Sequence, residues 1–310
     1  MLNTDKSIVQ EIKISSLKDR GISLFVKRDD LIHETISGNK WRKLRYNIES
    51  CFVKKKQGIV TFGGAYSNHL IATASACHKV GLKSIGIVRG NELNSESNET
   101  LKACSFLGME LVFVSREDYN LRIEKAYLEG LSIKHANYLI VPEGGANYLG
   151  MIGCQEILKE IEFKPDHIFV AQGTTTTSCG LAMGLNQDQK IHVVPALKGF
   201  DSLGEMENLY IQSGMDNEWI EQLLSNVEVH SEYHFGGYGK YDADLLIFIK
   251  EFYQNYDLKL DPIYTGKTMF ALMKEIEDLS YNNKSILFVH TGGLQGVSSI
   301  EEKSGFELFE

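Results

Sequence analysis

The chain has 310 residues, of which 43% are hydrophobic and 24% are charged, and its formal net charge is −9 at pH 7. This length and composition predict a globular protein with a substantial core and exclude a disordered or fibrous chain. The acidic balance also argues against a nucleic-acid groove or an anionic membrane surface as a partner, because both require a basic face.

The cysteines and the N-terminal residues bear on the cellular compartment. The chain has 5 cysteines, which are scattered and form no CxxC pair; this is typical of buried thiols in a reducing compartment. Residues 1–14 lack the continuous apolar stretch of a signal peptide, and no later run approaches the ~18 apolar residues of a spanning helix. We therefore expect a soluble, cytoplasmic protein that does not enter a membrane.

From residue 57 onward, short β-rich runs alternate with helical patterns, which is typical of parallel sheets with helices on both faces. The predicted strands are 58–62, 84–89, 110–114, 138–142, 167–171, 192–196 and 285–290. The predicted helices are 68–79, 98–107, 123–129, 155–161, 177–185, 203–213 and 267–279. The predicted fold is α/β, with the strands before residue 142 in one sheet and those after residue 165 in a second sheet.

Glycine-rich turns follow three of these strands, at Gly63-Gly64, at Gly173 and at Gly292-Gly293. Ligands of open α/β sheets bind at the carboxyl ends of strands, where glycine lets the backbone approach the ligand closely. The turns therefore predict one shared binding site.

Segment 37–44, SGNKWRKL, reads as a turn that enters a helix and carries three basic residues. Lys40 and Lys43 are three positions apart, so they share a helix face. The segment could be an exposed basic helix start, which is the commoner case. Alternatively, one cation could lower the pKa of its neighbour, as a lysine that forms a Schiff base requires. The spacing alone permits both interpretations.

Two further segments each allow a structural and a functional interpretation. In segment 63–69, GGAYSNH, Ser67 either only caps the next helix, worth about 1 kcal/mol, or helps the helix start to bind an anion. Segment 173–180, GTTTTSCG, is either a threonine-rich cap or a phosphate site made of backbone N–H groups and hydroxyls. It lacks the Lys-Ser/Thr ending of a P-loop and the GxGxxG fingerprint of dinucleotide-binding proteins.

Together with segments 261–267 (DPIYTGK) and 290–293 (HTGG), these motifs occur in the order found in one family. From about Lys27 to about Gly293 the chain resembles the 1-aminocyclopropane-1-carboxylate deaminase and D-cysteine desulfhydrase family. These are pyridoxal-phosphate enzymes with the tryptophan-synthase-β fold. The resemblance implies a fold-type II enzyme with two open twisted sheets and flanking helices. It also implies a smaller domain at 46–150, a larger cofactor-binding domain formed by 1–45 with 151–310, and a homodimer.

The same resemblance implies the site residues. Lys40 would carry pyridoxal 5'-phosphate as a Schiff base. The implied catalytic residues are Lys40, Ser67, Tyr238 and Tyr264; the cofactor-binding residues are Lys40, Lys43, Asn68, Gly173, Thr174, Thr175, Thr176, Thr177 and Thr291; the substrate-binding residues are Ser67, Asn68, His69, Tyr264 and Thr265. The family usually has glycines where this chain has Thr175 and Thr176, so either no positive φ is needed there or some strain is tolerated.

A metal site is not expected. His230 and His234 are four residues apart, but they flank a β-like run, lack the HExxH pattern and have no obvious third ligand.

The substrate prediction depends on Thr265 and Thr291. By the resemblance, ring-opening deaminases carry Glu and Leu there, whereas desulfhydrases carry hydroxyl residues. A carboxylate at the cofactor's pyridine nitrogen favours the protonated ring and a stronger electron sink, while a hydroxyl can serve a neutral nitrogen. Thiolate is a good leaving group and can depart with the weaker sink. The expected substrate is a small amino acid, D-cysteine, which gives pyruvate, sulfide and ammonia. The alternatives are 1-aminocyclopropane-1-carboxylate deamination, or a pyridoxal-phosphate-binding protein without turnover, against which Ser67, Tyr238 and Tyr264 count.

Overall fold

The strands of the protein form two separate sheets in the computed structural model, which describes residues 3–36 and 38–310. The strands are β1 (Val9–Ile12), β2 (Ser23–Lys27), β3 (Gly58–Gly64), β4 (Lys83–Arg89), β5 (Met109–Val114), β6 (Tyr138–Ile140), β7 (His167–Gln172), β8 (Lys190–Pro195), β9 (Val227–Val229) and β10 (Ser285–Val289). The smaller sheet has the order β5-β4-β3-β6 and the larger has the order β1-β2-β10-β7-β8-β9. The pairs are parallel except β1 with β2. The predicted α/β fold with two sheets is confirmed.

Helices connect the parallel strands. They are α1 (Ser15–Lys18), α2 (Asn39–Val53), α3 (Asn68–Val80), α4 (Glu99–Phe106), α5 (Arg116–Asn120), α6 (Lys125–Lys134), α7 (Tyr148–Lys159), α8 (Thr176–Ala182), α9 (Ser202–Gln212), α10 (Asn217–Leu224), α11 (Ala243–Tyr256), α12 (Thr265–Glu275) and α13 (Val297–Ser304). No helix within the described ranges is both long and apolar enough to cross a membrane.

The seven predicted strands are all present, whereas β1, β2 and β9 were not predicted. β9 has only three residues, at the edge of the sheet, and none of them is fully buried, so it lacks the apolar run that marks the central strands. The helices α1, α5, α10, α11 and α13 were also missed. The helix α2 was predicted only as a helix start, and the first residue of that segment, Ser37, lies outside the described residues.

The larger sheet separates two apolar cores because successive strand residues point to opposite faces. On β10, Phe288 packs with the core that α11 and α12 cover, and its neighbour Leu287 packs with the core beneath α7, α8 and α9. Helices on both faces leave the carboxyl ends of the strands as the open edge. The 5 cysteines are free and buried, as the sequence predicted.

The four strands of the smaller sheet all fall within residues 46–150, and those of the larger sheet lie on both sides of that range. The helix α2 spans residue 46 and packs against α3 as well as α7. The domain boundaries therefore stay a prediction.

Candidate active site

The loops after β3, β7 and β10 converge on the start of α2. The N–H of Asn39 donates to the carbonyl of Thr291 at 3.3 Å, and a Cβ on Gly38, whose φ is +60°, would lie 1.9 Å from that carbonyl oxygen. The ring of Tyr264 lies against Gly173, where a Cβ would be 2.9 Å from the ring. These contacts join segment 37–44 to segment 290–293 and segment 261–267 to segment 173–180. A Cβ on Gly145 would lie 3.0 Å from Cβ of Lys43 and 3.5 Å from Cε1 of His69, so segment 63–69 also lies near the start of α2.

Lys40 lies in the first turn of α2 and is only partly exposed. Its Nζ donates to Oδ1 of Asn39 at 2.7 Å, and the amide of Asn39 donates to Oγ1 of Thr177 at 2.9 Å. Burial, followed by the nearby charge of Lys43, lowers the pKa of Lys40 to about 7. A large fraction of this amine is therefore neutral at physiological pH, as covalent attachment to an aldehyde requires.

Lys43 is 2% exposed, and its Nζ donates to Oγ1 of Thr174 at 3.2 Å. Among the described residues, no carboxylate lies within ion-pair distance of Lys40 or Lys43. Burial lowers the pKa of Lys43. A buried cation without a counter-charge is costly, so Lys43 calls for an anionic ligand such as a phosphate.

The threonine loop fits the same ligand without strained backbone. None of the four threonines, Thr174 to Thr177, has a positive φ. The left-handed residues are instead Gly144 and Gly145 of the facing loop, with φ of +68° and +71°. A Cβ on Gly144 would lie 2.6 Å from Cγ2 of Thr174, so glycine makes room for the threonine. The hydroxyl of Thr176 is buried and has no partner within the described ranges, which leaves a donor for a ligand oxygen.

His69 is a neutral acceptor beside the two lysines. Thr61 donates its hydroxyl hydrogen to the carbonyl of Val141, so the contact at 2.9 Å between Thr61 and Nε2 of His69 must be donated by the histidine. Nδ1 then carries a lone pair, and it is buried without a partner in the described part of the chain. Burial, with smaller effects of Lys40 and Lys43, lowers the pKa of His69 to about 3.

Ser67 and Asn68 stand at the start of α3, where both are partly exposed. Oγ of Ser67 accepts from the N–H of Leu70 at 3.3 Å, so the residue is the helix cap. Its hydroxyl hydrogen and the side-chain amide of Asn68 have no protein partner among the residues described. The predicted cap is therefore present, while the anion-binding interpretation stays a prediction that the free hydroxyl hydrogen of Ser67 allows.

The carboxylate of Asp261 organises the turn that presents Tyr264. It accepts from the backbone N–H groups of Ile263, Tyr264 and Thr265, each at 2.9 Å, and from the hydroxyl of Thr265 at 2.6 Å. A carboxylate has about four lone-pair positions, so Asp261 has no accepting capacity left. Burial, followed by the neighbouring Tyr238, raises the pKa of Tyr264 well above its ordinary value. Tyr264 therefore keeps its proton, and its ring centroid lies 6.0 Å from that of Tyr238.

The hydroxyl of Thr265, which the resemblance places among the substrate-binding residues, is used within the turn. Thr265 is 0% exposed. Its hydroxyl donates to Asp261 and accepts from the N–H of the same residue at 2.8 Å. Thr265 therefore shapes the turn. The hydroxyl of Thr291 has no partner among the described residues, so it is the one that can serve a ligand there.

The two histidines considered for zinc lie in different surroundings. Nδ1 of His234 accepts from the N–H of Gly236 at 2.8 Å, whereas Nε2 of His230 is 2.9 Å from Nδ1 of His192. The ring centroids of His192 and His230 are 5.2 Å apart and the planes differ by 25°. Nδ1 of His192 and Nε2 of His230 therefore face each other along the line between the two ring centres, as in a hydrogen bond. Glu228 also approaches His192, at 3.4 Å. The sequence did not reveal this cluster because its members come from neighbouring strands. The absence of a metal stays a prediction.

Asn39, Asp261 and Lys267 lie within the sequence motifs, but no role was predicted for them. The structure shows that Asn39 links Lys40 to the threonine loop and that Asp261 holds the Tyr264 turn. An Asp followed closely by Tyr, Thr and Gly at a helix start is a signal for such a turn.

The family model described as "Pyridoxal-phosphate dependent enzyme" matches residues 9–292. A putative 1-aminocyclopropane-1-carboxylate deaminase of Pyrococcus horikoshii is 32% identical, over 92% of this chain and 89% of that protein. The D-cysteine desulfhydrase of Klebsiella pneumoniae is 29% identical, over 88% and 87%. A mitochondrial bifunctional D-cysteine desulfhydrase/1-aminocyclopropane-1-carboxylate deaminase of Arabidopsis thaliana is 29% identical, over 89% and 74%. The crystal structure of an ACC deaminase homologue superposes with a TM-score of 0.78 at 27% identity, over 99% and 95%.

Proposed function

The chain belongs to the pyridoxal-phosphate dependent enzymes, and we propose that within this family it catalyses β-elimination on D-cysteine, which yields pyruvate, sulfide and ammonia. The cofactor and the enzymatic nature expected from the sequence are confirmed by the family, which sets aside a binding protein without turnover. The relatives are named for D-cysteine and for 1-aminocyclopropane-1-carboxylate. The choice between these substrates is the proposal.

One observation carries the choice: the turn before α12 has no carboxylate free to pair with a protonated pyridine nitrogen. The accepting positions of the Asp261 carboxylate are all occupied by hydrogen bonds within the turn, and position 265 carries a threonine. Thr291 offers only a hydroxyl. When bound, the cofactor withdraws electrons from the substrate α-carbon, and a neutral ring does so less strongly. The elimination of thiolate tolerates this better than the opening of a carbon ring.

The chain's own residues have the following proposed roles. Lys40, with a pKa near 7, holds the cofactor and can take or return a proton near neutral pH. Lys43 and the hydroxyls of Thr174 and Thr176 bind the phosphate. Asn68 and the hydroxyl of Thr291 contact the cofactor ring.

The remaining roles concern the substrate. Ser67, with the start of α3, binds the carboxylate. Tyr264, which retains its proton, donates to the departing sulfur, and Tyr238 covers the substrate beside it. The neutral Nδ1 of His69 accepts a hydrogen bond inside the site.

The test is a substrate panel with the cofactor-loaded protein. D-cysteine, L-cysteine, D-serine, β-chloro-D-alanine and 1-aminocyclopropane-1-carboxylate are assayed for keto-acid formation, and sulfide is measured separately. We expect D-cysteine to have the highest kcat/KM of the natural substrates and the cyclopropane substrate to be nearly inert. Faster deamination of the cyclopropane amino acid than desulfuration of D-cysteine would overturn the proposal in favour of the deaminase. The cytoplasmic location and the homodimer stay predictions.

A further inference from the structure

Residues 230–239, which we call the Tyr238 segment, dock on one face of α12. The segment has little regular structure of its own. Phe235, Gly236, Gly237 and Gly239 all have positive φ, between 51° and 116°. Tyr238 itself is 55% exposed, so burial does not hold it in position. Contacts outside the segment must therefore fix where this tyrosine lies.

The strongest of these contacts comes from Lys267, in the first turn of α12. The residue is 1% exposed. Its Nζ donates to the carbonyl of His234 at 2.8 Å and to the carbonyl of Gly237 at 2.9 Å. Within the described residues its ammonium forms no ion pair with a carboxylate. A buried ammonium costs far more than an apolar side chain of the same length. Packing alone therefore gives no reason for a lysine here, whereas joining two carbonyls of an irregular loop does.

Two further residues on the same face of α12 contact the segment. The ring of Phe270 meets that of Phe235 edge to face, with centroids 5.2 Å apart. The carboxylate of Glu275 accepts from the hydroxyl of Tyr233 at 2.7 Å. At about 100° per residue, positions 267, 270 and 275 spread over roughly 140° of the helix circumference, with Lys267 between the other two, so all three lie on the same half of α12. The helix thus contacts the segment through three of its side chains.

The first residue of this helix follows Tyr264 directly, so α12 also sets the position of the other tyrosine. Its ring centroid lies 6.0 Å from that of Tyr238, with the planes inclined at 66°. A shift of α12 relative to the Tyr238 segment would change that separation. We propose that α12, through Lys267 and Glu275, is a positioning device that holds Tyr238 against Tyr264, and that Lys267 is its principal positioning residue. This inference rests on the proposed function only in giving the two tyrosines a part in the reaction.

The test compares Lys267→Met with Lys274→Met in the cofactor-loaded protein. Lys274 is a matched control because it lies on the same helix, is exposed and, within the described residues, forms its one ion pair with Glu277. We expect Lys267→Met to lower kcat on D-cysteine by about tenfold to a hundredfold, because small misplacement of a group at the reacting centre has effects of this size. KM and the visible absorption band of the bound cofactor should change little. Lys274→Met should match the wild type.

Hydrogen exchange of the holoenzyme supplies a readout that does not depend on turnover. The N–H groups of Gly237 and of Lys240, the residue that follows the segment, donate to the carbonyls of His234 and Gly237. Both should exchange at least tenfold faster in Lys267→Met. Peptides from α3 should not change. The effects of Lys267→Met and Tyr238→Phe on kcat should be non-additive, because one acts through the other.

Tyr233→Phe provides a second, milder variant, since it keeps the ring and removes only the hydrogen bond to Glu275. It should accelerate exchange in the same segment to a smaller extent, and it carries the test if Lys267→Met does not fold. Unchanged exchange in the folded variants would overturn the inference. If the wild type does not turn over D-cysteine, the proposed function fails, but the exchange comparison still decides whether α12 holds the segment.

Discussion

Replacing Lys43 by methionine should weaken cofactor binding and yet stabilise the protein without cofactor. The change keeps the length of the side chain and removes a buried charge. That charge has Oγ1 of Thr174 as its only hydrogen-bond partner among the described residues, at 3.2 Å. In the loaded protein the ammonium would be matched by the phosphate. In the cofactor-free protein, no ligand charge offsets the desolvation of the ammonium. The substitution should therefore lower the affinity for the cofactor and raise the stability of the cofactor-free protein.

The magnitudes follow from this difference. A hydrogen bond to a charged group contributes roughly 1.5–3 kcal/mol, so the dissociation constant should rise by about one to two decades at 1.4 kcal/mol per decade. Replacing a buried charge by an apolar side chain of similar volume is neutral or stabilising by about 1–4 kcal/mol. We expect a gain at the lower end of that range, because Lys43 already has one hydroxyl partner.

The assays are equilibrium dialysis for cofactor affinity and urea unfolding of the cofactor-free protein. Lys54→Met is the matched control because Lys54 lies at the end of the same helix and is exposed. It should change neither quantity. Equal dissociation constants for the two variants, or a less stable cofactor-free Lys43→Met protein, would refute the assignment of Lys43 as the phosphate lysine.

Three other predictions concern the attachment residue and the turns. In the cofactor-free protein, the rate at which Lys40 reacts with an aldehyde should rise through pH 7 and level off above it, rather than near 10.5, because its pKa is lowered to about 7 and only the neutral amine reacts. In the cofactor-loaded protein, Lys40→Ala should lose the visible absorption band. A borohydride-trapped adduct on another lysine would contradict the assignment. Thr265→Glu should destabilise the fold by roughly 3–5 kcal/mol in urea unfolding, since an unpaired carboxylate would be buried against that of Asp261; a loss below 1 kcal/mol would show that the turn rearranges. Gly144→Ala should cost more stability than Gly81→Ala, because both residues have positive φ but a Cβ meets a neighbour at 2.6 Å only at Gly144, and each left-handed residue alone costs about 1–3 kcal/mol; equal losses in urea would contradict this.

Much of the fold could be predicted from local sequence. The seven predicted strands are apolar runs bounded by glycine or polar residues, and the helices between them have clear caps, such as Ser67 before α3. The strand β2 was missed although it lies next to β10 in the larger sheet, because what makes it a strand is its pairing with a segment some 260 residues away. β9 was missed because an edge strand of three residues needs no apolar run.

The sequence by itself determined which chemical groups could meet. The glycine turns after the strands placed one site at the carboxyl edge, the spacing of Lys40 and Lys43 placed both on one helix face, and the order of the motifs indicated the family. These are properties of residue identity and separation along the chain, and they do not depend on which tertiary contacts each residue makes.

Only the tertiary structure decided what each group can do. It showed that Lys43 has no carboxylate partner among the described residues, that the hydroxyl of Thr265 is already used by Asp261, and that Nδ1 of His69 must be the acceptor. It also showed that the left-handed backbone lies at Gly144 and Gly145 and not in the threonine loop. In addition, it showed that Lys267 donates hydrogen bonds to two carbonyls of a distant loop. The physical reason is the same in each case. A pKa, a tautomer or a free lone pair depends on desolvation and on the partner, and the partner usually comes from another part of the chain.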